Sequence, residues 1–249
     1  MHLTPRNLPR KPRRITEMFI PACEFCREFS GKPGSVFERI YGEERQNRVL
    51  FRSHSFVIAP SLGQIVEGYL LIMPHEHWTT IADLPDTLVH ELRALCKIVR
   101  TELKSEYGSS MIFYEHGARS EDVGGCGIYH AHLHAVPWPT TLDQIESLKS
   151  RFPYREIGSV SEIRKSAERM STYLFYESPQ GRAYVFDTGS LPSQYMRKLL
   201  AEALGTAEWD WRSSGREERV LNTLKRLSHR FDAARTSLEF QRVIHGTPR

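Results

Sequence analysis

Three histidines alternate with small or apolar residues over residues 130–134, which read His-Ala-His-Leu-His. In an extended chain successive side chains point to opposite faces, so we expect the three imidazoles on one face and Ala131 and Leu133 against a hydrophobic layer on the other. Imidazoles this close together disfavour one another's protonation. A glycine-rich stretch, Gly-Gly-Cys-Gly at residues 124–127, comes just before them. The pattern predicts a chemical site on a strand that follows a turn.

Composition restricts the class of protein around this site. The chain has 249 residues, of which 40% are hydrophobic and 26% charged, as expected of a soluble globular protein with a real core. Its net charge of +4 suits an anionic small molecule and is not a nucleic-acid footprint by itself. No apolar run approaches the ~20 residues of a membrane span. Since the N-terminus also lacks the apolar core of a secretory signal, we expect a cytoplasmic protein with no membrane partner.

Hydrophobic periodicity predicts a sheet with one long helix. Apolar residues recur at spacings of three and four over residues 84–107, which predicts an amphipathic helix that ends at Gly108. Short β-rich runs lie before it, two within residues 48–60 and one at 68–73, and a strand at 111–114 follows it. The histidine stretch is the next strand. This order predicts an α+β fold with the helix packed on one face of the sheet.

The chain divides into three parts. Residues 1–15 carry five Lys or Arg side chains and form a basic arm, either a solvated tail or a contact for phosphate or nucleic acid. Residues 16–140 form the first domain. Residues 141–249 form a C-terminal α+β extension whose hairpin can join the first sheet. Within this extension we expect helices at 142–152, 161–170, 193–204 and 217–238, and a β-hairpin at 173–187.

Two cysteines in a Cys23-x-x-Cys26 arrangement offer half of a tetrahedral zinc site. A redox pair would need a following helix in a βαβ pattern, and residues 27–33 are not expected to supply one. A pair of free cysteines is the remaining alternative. Two added histidines would complete a structural site with no open position. The candidate histidines are His54, His75, His77, His90, His116 and the three at 130–134.

The stretch His130-Ala-His132-Leu-His134-Ala-Val resembles the signature of the histidine triad superfamily, and the resemblance covers about residues 20–140. It implies an antiparallel sheet with a packed long helix. Zinc-bearing members and the related galactose-1-phosphate uridylyltransferases pair a Cys-x-x-Cys with two histidines. Carried to this sequence, the resemblance implies a structural zinc ion bound by Cys23, Cys26, His77 and His130. It also implies that His132 is the nucleophile and that His134 contacts the phosphate and the leaving group.

The implied function is that of a nucleotide hydrolase or nucleotidyltransferase. A neutral imidazole at position 132 can attack the α-phosphate of a nucleotide or nucleotide conjugate and form a covalent nucleotidyl-histidine. A backbone carbonyl would hold its other nitrogen. The alternative is a catalytically weak nucleotide or RNA-end binding module that uses the basic arm and the C-terminal extension. The candidate nucleotide- and phosphate-binding residues are Gly125, Cys126, Gly127, His116 and Gln194.

Two segments depart from the small triad hydrolases. These commonly have Gln or a Ser-like residue in the turn at 124–127, and an Asn where this chain has Glu115 and His116. His116 is therefore either a second phosphate contact or a surface histidine. Because the uridylyltransferases have glutamine in place of the third histidine, His134 favours the hydrolase-like or phosphorylase branches. Small members are often dimers, and here the C-terminal extension can occupy the corresponding surface, so a homodimer and a monomer both stay open.

Overall fold

The computed structural model describes residues 23–42, 48–120, 127–213 and 216–235. Within these residues eight strands form one sheet in the order β1-β2-β3-β5-β4-β7-β8-β6, and every neighbouring pair is antiparallel. The predicted α+β class is confirmed. The strands are β1 (Phe51–Arg52), β2 (Phe56–Pro60), β3 (Leu70–Pro74), β4 (Ser110–Ala118), β5 (Leu133–Trp138), β6 (Tyr154–Ile157), β7 (Thr172–Glu177) and β8 (Ala183–Asp187).

Helices cover both faces of the sheet. They are α1 (Glu24–Phe29), α2 (Val36–Tyr41), α3 (Asp86–Tyr107), α4 (Ile145–Lys149), α5 (Ile163–Ser166), α6 (Tyr195–Ala203) and α7 (Glu217–Arg235), with 3₁₀ turns at Ile81–Asp83 and Val160–Glu162.

The long helix α3 forms as its sequence predicts. It ends at Gly108, whose φ of 65° lies in the left-handed region that glycine adopts without strain. Its apolar stripe, with Leu92, Leu95 and Val99, is buried in the layer that also contains α7 residues such as Phe231. The opposite face of the sheet packs against α1 and α6. The sheet is therefore covered on both sides, and the histidines can lie between layers.

The histidine stretch is only partly a strand, which corrects the sequence prediction. β5 begins at Leu133, so His130 and His132 come before it. Ladder pairing to β3 ends at the Leu133–Ile72 pair, and just before it the side chain of His132 donates to the carbonyl of His130. Ala131 and Leu133 do lie in the apolar layer with α3, as predicted.

Near the N-terminus, α1 extends to Phe29, so the first three of residues 27–33 are helical where no helix was expected. This six-residue helix contains Cys26, and residues Phe25, Cys26 and Glu28 on it are buried. α2 was not predicted either, and it begins with a capping box in which Ser35 and Glu38 bind each other's backbone N–H groups. Burial stabilises α1, and the capping box stabilises α2; short apolar runs in the sequence do not reveal either.

The predicted C-terminal hairpin is confirmed as β7 and β8, and β7 pairs with β4 so that the hairpin continues the main sheet. The helices predicted at 142–152 and 161–170 are shorter, as α4 and α5, and β6 was not predicted. The division at residue 140 stays a prediction. The basic arm at 1–15 and residues 236–238 of the last predicted helix lie outside the described residues. In the described part, no helix has both the length and the apolar character needed to cross a bilayer.

Candidate active site and metal centre

Four potential metal ligands meet in one buried cluster. Cys23 precedes α1, Cys26 lies within it, His77 follows β3, and His130 precedes β5. One ligand atom from each lies within 4.8 Å of the others. The Nδ1 atom of His77 is 3.4 Å from the Sγ of Cys26, and the Nδ1 of His130 is 3.5 and 3.6 Å from the two sulfurs. The structure therefore brings together the four residues that the resemblance implied.

The geometry of this cluster fits zinc. A tetrahedral zinc ion binds sulfur at about 2.3 Å and nitrogen at about 2.0–2.1 Å, so a sulfur and a nitrogen bound to the same ion lie about 3.6 Å apart. The sulfur–nitrogen distances above match this value. The Nε2–H of His130 donates to the carbonyl oxygen of Pro74 at 2.9 Å, which leaves Nδ1 unprotonated towards the sulfurs. The hydrogen bond from Cys26, together with His130, lowers the pKa of Cys23 to about 3. A thiolate and an oriented imidazole are the forms that bind a metal.

His132 has a defined tautomer beside this cluster. Its Nδ1–H donates to the carbonyl oxygen of His130 at 2.6 Å, as expected for a nucleophilic imidazole, and Nε2 keeps its lone pair. The ring of Phe25 packs edge-on against it with a centroid distance of 5.4 Å. Burial lowers the pKa of His132 to about 4, and the imidazoles of His130 and His116 add to this effect. Mutual repulsion, which the sequence predicted, is thus the smaller cause.

His134 is held by two tyrosines. Its Nδ1 is 2.7 Å from the hydroxyl of Tyr69, which also contacts the hydroxyl of Tyr114, and its ring stacks on that of Tyr114 at 4.2 Å. Burial, with His132 and Arg197, lowers the pKa of His134 well below its usual value. A neutral His134 that accepts at Nδ1 carries its proton on Nε2. The two neighbouring imidazoles therefore offer opposite functions, a lone pair on His132 and an N–H on His134.

A fourth histidine, His116, lies on β4 and lines the same cavity. It is buried, and its Nε2 has no hydrogen-bond partner within the described residues. Burial lowers its pKa to about 4. The surface-histidine alternative is excluded by this burial.

Glu115, next to it, points to the other side of the sheet. Its carboxyl accepts from the backbone N–H of Ile81 at 2.8 Å and from the hydroxyl of Tyr173, within the layer that contains α3. Burial raises the pKa of Glu115 to about 8. Glu115 is one of the two residues at which this chain differs from the small triad hydrolases, and its side chain lies outside the histidine cavity.

The histidines open into a cavity of about 660 Å³, a volume that includes the space at its mouth open to solvent. Strands β3, β4 and β5 form its floor, and α1 forms one wall. The opposite wall comes from the C-terminal extension. The lining residues include Phe25, Leu62, Leu71, Tyr114, His116, Ile128, His132, His134, Gln194, Tyr195, Met196, Arg197 and Trp211.

The remaining predicted phosphate contacts have separate outcomes. Gln194 lines the cavity, but its amide is engaged inside the protein, with Nε2 donating to Asp210 at 2.7 Å and Oε1 accepting from the backbone N–H of Trp211 at 3.0 Å. Gly127 has a φ of 83°, and a Cβ there would lie 2.8 Å from the guanidinium of Arg212. Gly125 and Cys126 lie outside the described residues.

Sequence reasoning missed the residues that orient the histidines and close the cavity. Tyr69 and Tyr114 reach His134 because β3 and β4 lie on either side of β5. The sequence does not show which strands are neighbours in the sheet. Arg197 resembles a solvated helix charge in the sequence. It is buried, and its guanidinium donates to the carbonyl of Trp209 at 2.9 Å and to the hydroxyl of Ser61 at 3.2 Å. The one available signal was strand parity, which places Tyr114 and His116 on the same face.

Comparison with known proteins agrees with this architecture. A family model described as "Scavenger mRNA decapping enzyme C-term binding" matches residues 34–149, from the start of α2 to the end of α4. The sheet, the packed helix and the three histidines agree with the histidine-triad-like class that the sequence resembles, and the chain is similar to the family of this model over those residues.

Individual relatives share modest identity with the chain. CWF19-like protein 1 of Xenopus laevis is 26% identical over 180 residues, covering 66% of this chain and 32% of that protein. Zinc finger CCCH domain-containing protein 64 of Arabidopsis thaliana is 24% identical over 247 residues, covering 91% and 38%. The chain thus spans about a third of the length of these curated relatives. A zinc-bound histidine triad family protein from Mycobacterium smegmatis is 16% identical, with a TM-score of 0.37 over 49% of this chain and 78% of that one.

Proposed function

We propose that this protein is a nucleotide hydrolase or nucleotidyltransferase that acts at an α-phosphate through a covalent nucleotidyl-histidine on His132. The observation that carries the proposal is the hydrogen bond from Nδ1 of His132 to the carbonyl of His130, because it leaves the Nε2 lone pair for attack. The family matched over residues 34–149 is named for a scavenger mRNA decapping enzyme, which supports a substrate with a nucleotide part.

The reaction takes place in two displacements. In the first, Nε2 of His132 forms a bond to the α-phosphorus while the bond from phosphorus to the leaving-group oxygen breaks, and the electron pair stays on that oxygen. In the second, water or an acceptor hydroxyl attacks the same phosphorus. The N–P bond then breaks, the imidazole regains its lone pair, and the attacking oxygen loses a proton to solvent. Splitting the reaction in this way replaces one difficult step by two easier ones.

The other histidines act on the phosphate. With its proton on Nε2, His134 donates to a non-bridging oxygen or to the departing oxygen. His116 has an unpartnered buried Nε2, which a phosphate oxygen or ribose hydroxyl in the cavity would satisfy. The backbone around Gly127 is a further candidate for the phosphate oxygens.

The Cys23, Cys26, His77 and His130 cluster would hold zinc with all four positions filled by protein. Bound there, zinc supplies rigidity rather than an activated water, because a closed site has no open coordination position. The residues of this cluster then fix the backbone at His130, whose carbonyl orients the imidazole of His132.

The test is adduct formation in wild-type protein, His132→Ala and the matched control His90→Ala, since His90 is exposed on α3. Each protein is incubated with nucleoside diphosphates, dinucleoside polyphosphates, nucleotide sugars and nucleoside phosphoramidates. Intact-protein mass spectrometry then looks for a nucleotidyl adduct that is labile to acid and stable to base. We expect the adduct and turnover in the wild type and the control, and neither in His132→Ala.

A different result would favour the binding module. Turnover in His132→Ala at the wild-type rate would contradict the proposed mechanism. Nucleotide or RNA binding that falls steeply with salt, without turnover on any substrate and unchanged in His132→Ala, would assign the cavity a binding role.

A further inference from the structure

The C-terminal extension places the guanidinium of Arg212 against Gly127, at the end of the turn that precedes the histidines. A Cβ built on Gly127 would lie 2.8 Å from Nη2 of Arg212 and 3.0 Å from the hydroxyl of Ser193, so the guanidinium lies directly against this glycine. The next residue along the chain, Ile128, lines the cavity with His132 and His134. Arg212 therefore lies against the segment of the chain that leads from the turn into the cavity and on to the histidines.

Arg212 has unused capacity for an anion. Its side chain is 46% exposed, and within the described part of the chain it pairs with Oδ1 of Asp210 at 4.0 Å. That oxygen already accepts from Nε2 of Gln194 at 2.7 Å and from the backbone N–H of Arg212 at 3.0 Å. An arginine at this distance from an engaged carboxylate keeps several N–H donors for a phosphate.

The surrounding contacts hold Arg212 in place. Its guanidinium lies over the ring of Trp211, 4.7 Å from the centroid, and that ring lines the cavity. The amide of Gln194 binds the backbone N–H of Trp211, and Arg197 binds the carbonyl of Trp209. The turn that carries Arg212 is thus tied to α6, which reduces the entropy lost when an anion binds.

The chemistry of the histidines favours the same kind of leaving group. Burial lowers the pKa values of His134 and His116, so neither is a protonated acid at neutral pH. A leaving group that departs as a stable anion, such as a phosphate, needs less proton donation than an alkoxide or an amine.

We propose that Arg212 is a specificity-determining residue that binds a phosphate of the leaving group, so that the preferred substrates carry a further phosphate beyond the α-phosphate. Nucleoside diphosphates and dinucleoside polyphosphates belong to this class. The inference rests on the proposed function for the position of the α-phosphate. When the bond to the bridging oxygen breaks, the leaving phosphate keeps the electron pair, and Arg212 stabilises the added negative charge.

Binding measurements test Arg212 separately from catalysis. Isothermal titration calorimetry with AMP and ADP, and with GMP and GDP, compares wild type, Arg212→Met, Arg212→Lys and the control Arg164→Met. Arg164 is 55% exposed and pairs with Asp86, outside the cavity lining. We expect the diphosphate to bind about 10–100-fold tighter than the monophosphate in the wild type and in the control. This ratio should fall to about 1 in Arg212→Met and be intermediate in Arg212→Lys.

The outcomes separate this inference from the proposed function. Equal weakening of monophosphate and diphosphate by Arg212→Met would assign Arg212 a structural role and overturn the inference. A wild type that does not distinguish the two nucleotides, or binds neither, would also overturn it. If the ratio depends on Arg212 but His132 forms no adduct, the inference holds and the proposed reaction fails.

Discussion

Tyr69 links the sheet to the chemistry of the site, because among the described residues its hydroxyl makes the hydrogen bond that fixes Nδ1 of His134. Replacing Tyr69 with Phe leaves this buried nitrogen without a partner and lets the Nε2 proton change position. Such a loss costs about 1–3 kcal/mol. We expect Tyr69→Phe to lower the melting temperature and to reduce kcat more than it raises KM.

Tyr114→Phe is the matched control, since it also removes a buried hydroxyl but keeps the bond from Tyr69 to His134. Thermal denaturation and steady-state kinetics should separate the two variants. If the two variants have the same kcat and KM, the Tyr69 hydroxyl does not orient His134 for catalysis, and Tyr69 contributes only to packing.

Glu115 predicts a pH dependence of stability. Burial raises its pKa from 4.5 to about 8, so the folded protein holds a proton that the unfolded chain releases between these values. The stability associated with the protonated carboxyl is complete below about pH 4.5 and is lost as pH rises through about 8. The contribution to the free energy of unfolding falls by up to about 1.4 kcal/mol per pH unit in this window.

Glu115→Gln keeps the shape and removes the titration. Urea denaturation of both proteins at several pH values between 4.5 and 8 measures their free energies of unfolding. As the pH rises, the glutamine variant should become steadily more stable relative to the wild type. A difference independent of pH would place the folded-state pKa of Glu115 near its ordinary value.

For single residues, the sequence predicted the metal ligands and the catalytic histidines better than it predicted the residues that hold them in place. Cys23, Cys26, His77 and His130 meet as the resemblance implied, and His132 binds a backbone carbonyl as its chemistry required. The supports of His134 were missed because they depend on which strands flank β5. The availability of Gln194 was overestimated, since its amide partners lie about sixteen residues further along the chain.

Among the elements, α1 depends on one buried ion pair. Glu28 on α1 binds Arg48 through two hydrogen bonds of 2.7 and 2.9 Å, and Arg48 also donates to the carbonyl of Pro60. Both side chains are almost completely buried. Because α1 carries Cys26 and Phe25, this pair positions one wall of the cavity and half of the cysteine motif.

Removing one partner of this ion pair should lower the stability of the protein more than removing both. Glu28→Gln leaves the Arg48 charge buried without its counter-ion, which costs about 3–5 kcal/mol. The double variant Glu28→Gln/Arg48→Met should recover part of that loss. Chemical denaturation of the two single variants and the double variant measures the coupling, and additive losses would contradict it.

Element prediction succeeded where periodicity was long. The stripe of α3 spans 22 residues and ends at a glycine, so both its type and its end were clear. In contrast, α1 has six residues, too few for a periodic pattern. β6 has three exposed residues out of four, and its strand conformation comes from pairing with β8 rather than from its own apolar alternation.

For the whole molecule, the cysteine–histidine cluster joins three distant parts of the chain, at α1, after β3 and before β5. If zinc binds there, removing it should unfold this junction as well as stop catalysis. We expect a strong chelator to lower the melting temperature by roughly 10 °C, and metal analysis to find one zinc per chain before treatment.

Cysteine variants give the control for this experiment. Cys23→Ser should lose the metal, whereas Cys96→Ser should keep it, because Cys96 lies on α3 away from the cluster and burial raises the pKa of its thiol. A chelated protein with unchanged melting temperature and activity would contradict the zinc assignment.

The pairing of β7 with β4 has a consequence for fragments of this chain. The family match ends at residue 149, before β7, so a fragment cut there would lack the strand that covers the outer side of β4. β4 has nine residues, eight of them buried in the intact sheet. Its uncovered N–H and C=O groups would form a long, flat, apolar edge of the kind that pairs with other molecules. Such a fragment is expected to aggregate, even with every histidine and cysteine of the site present.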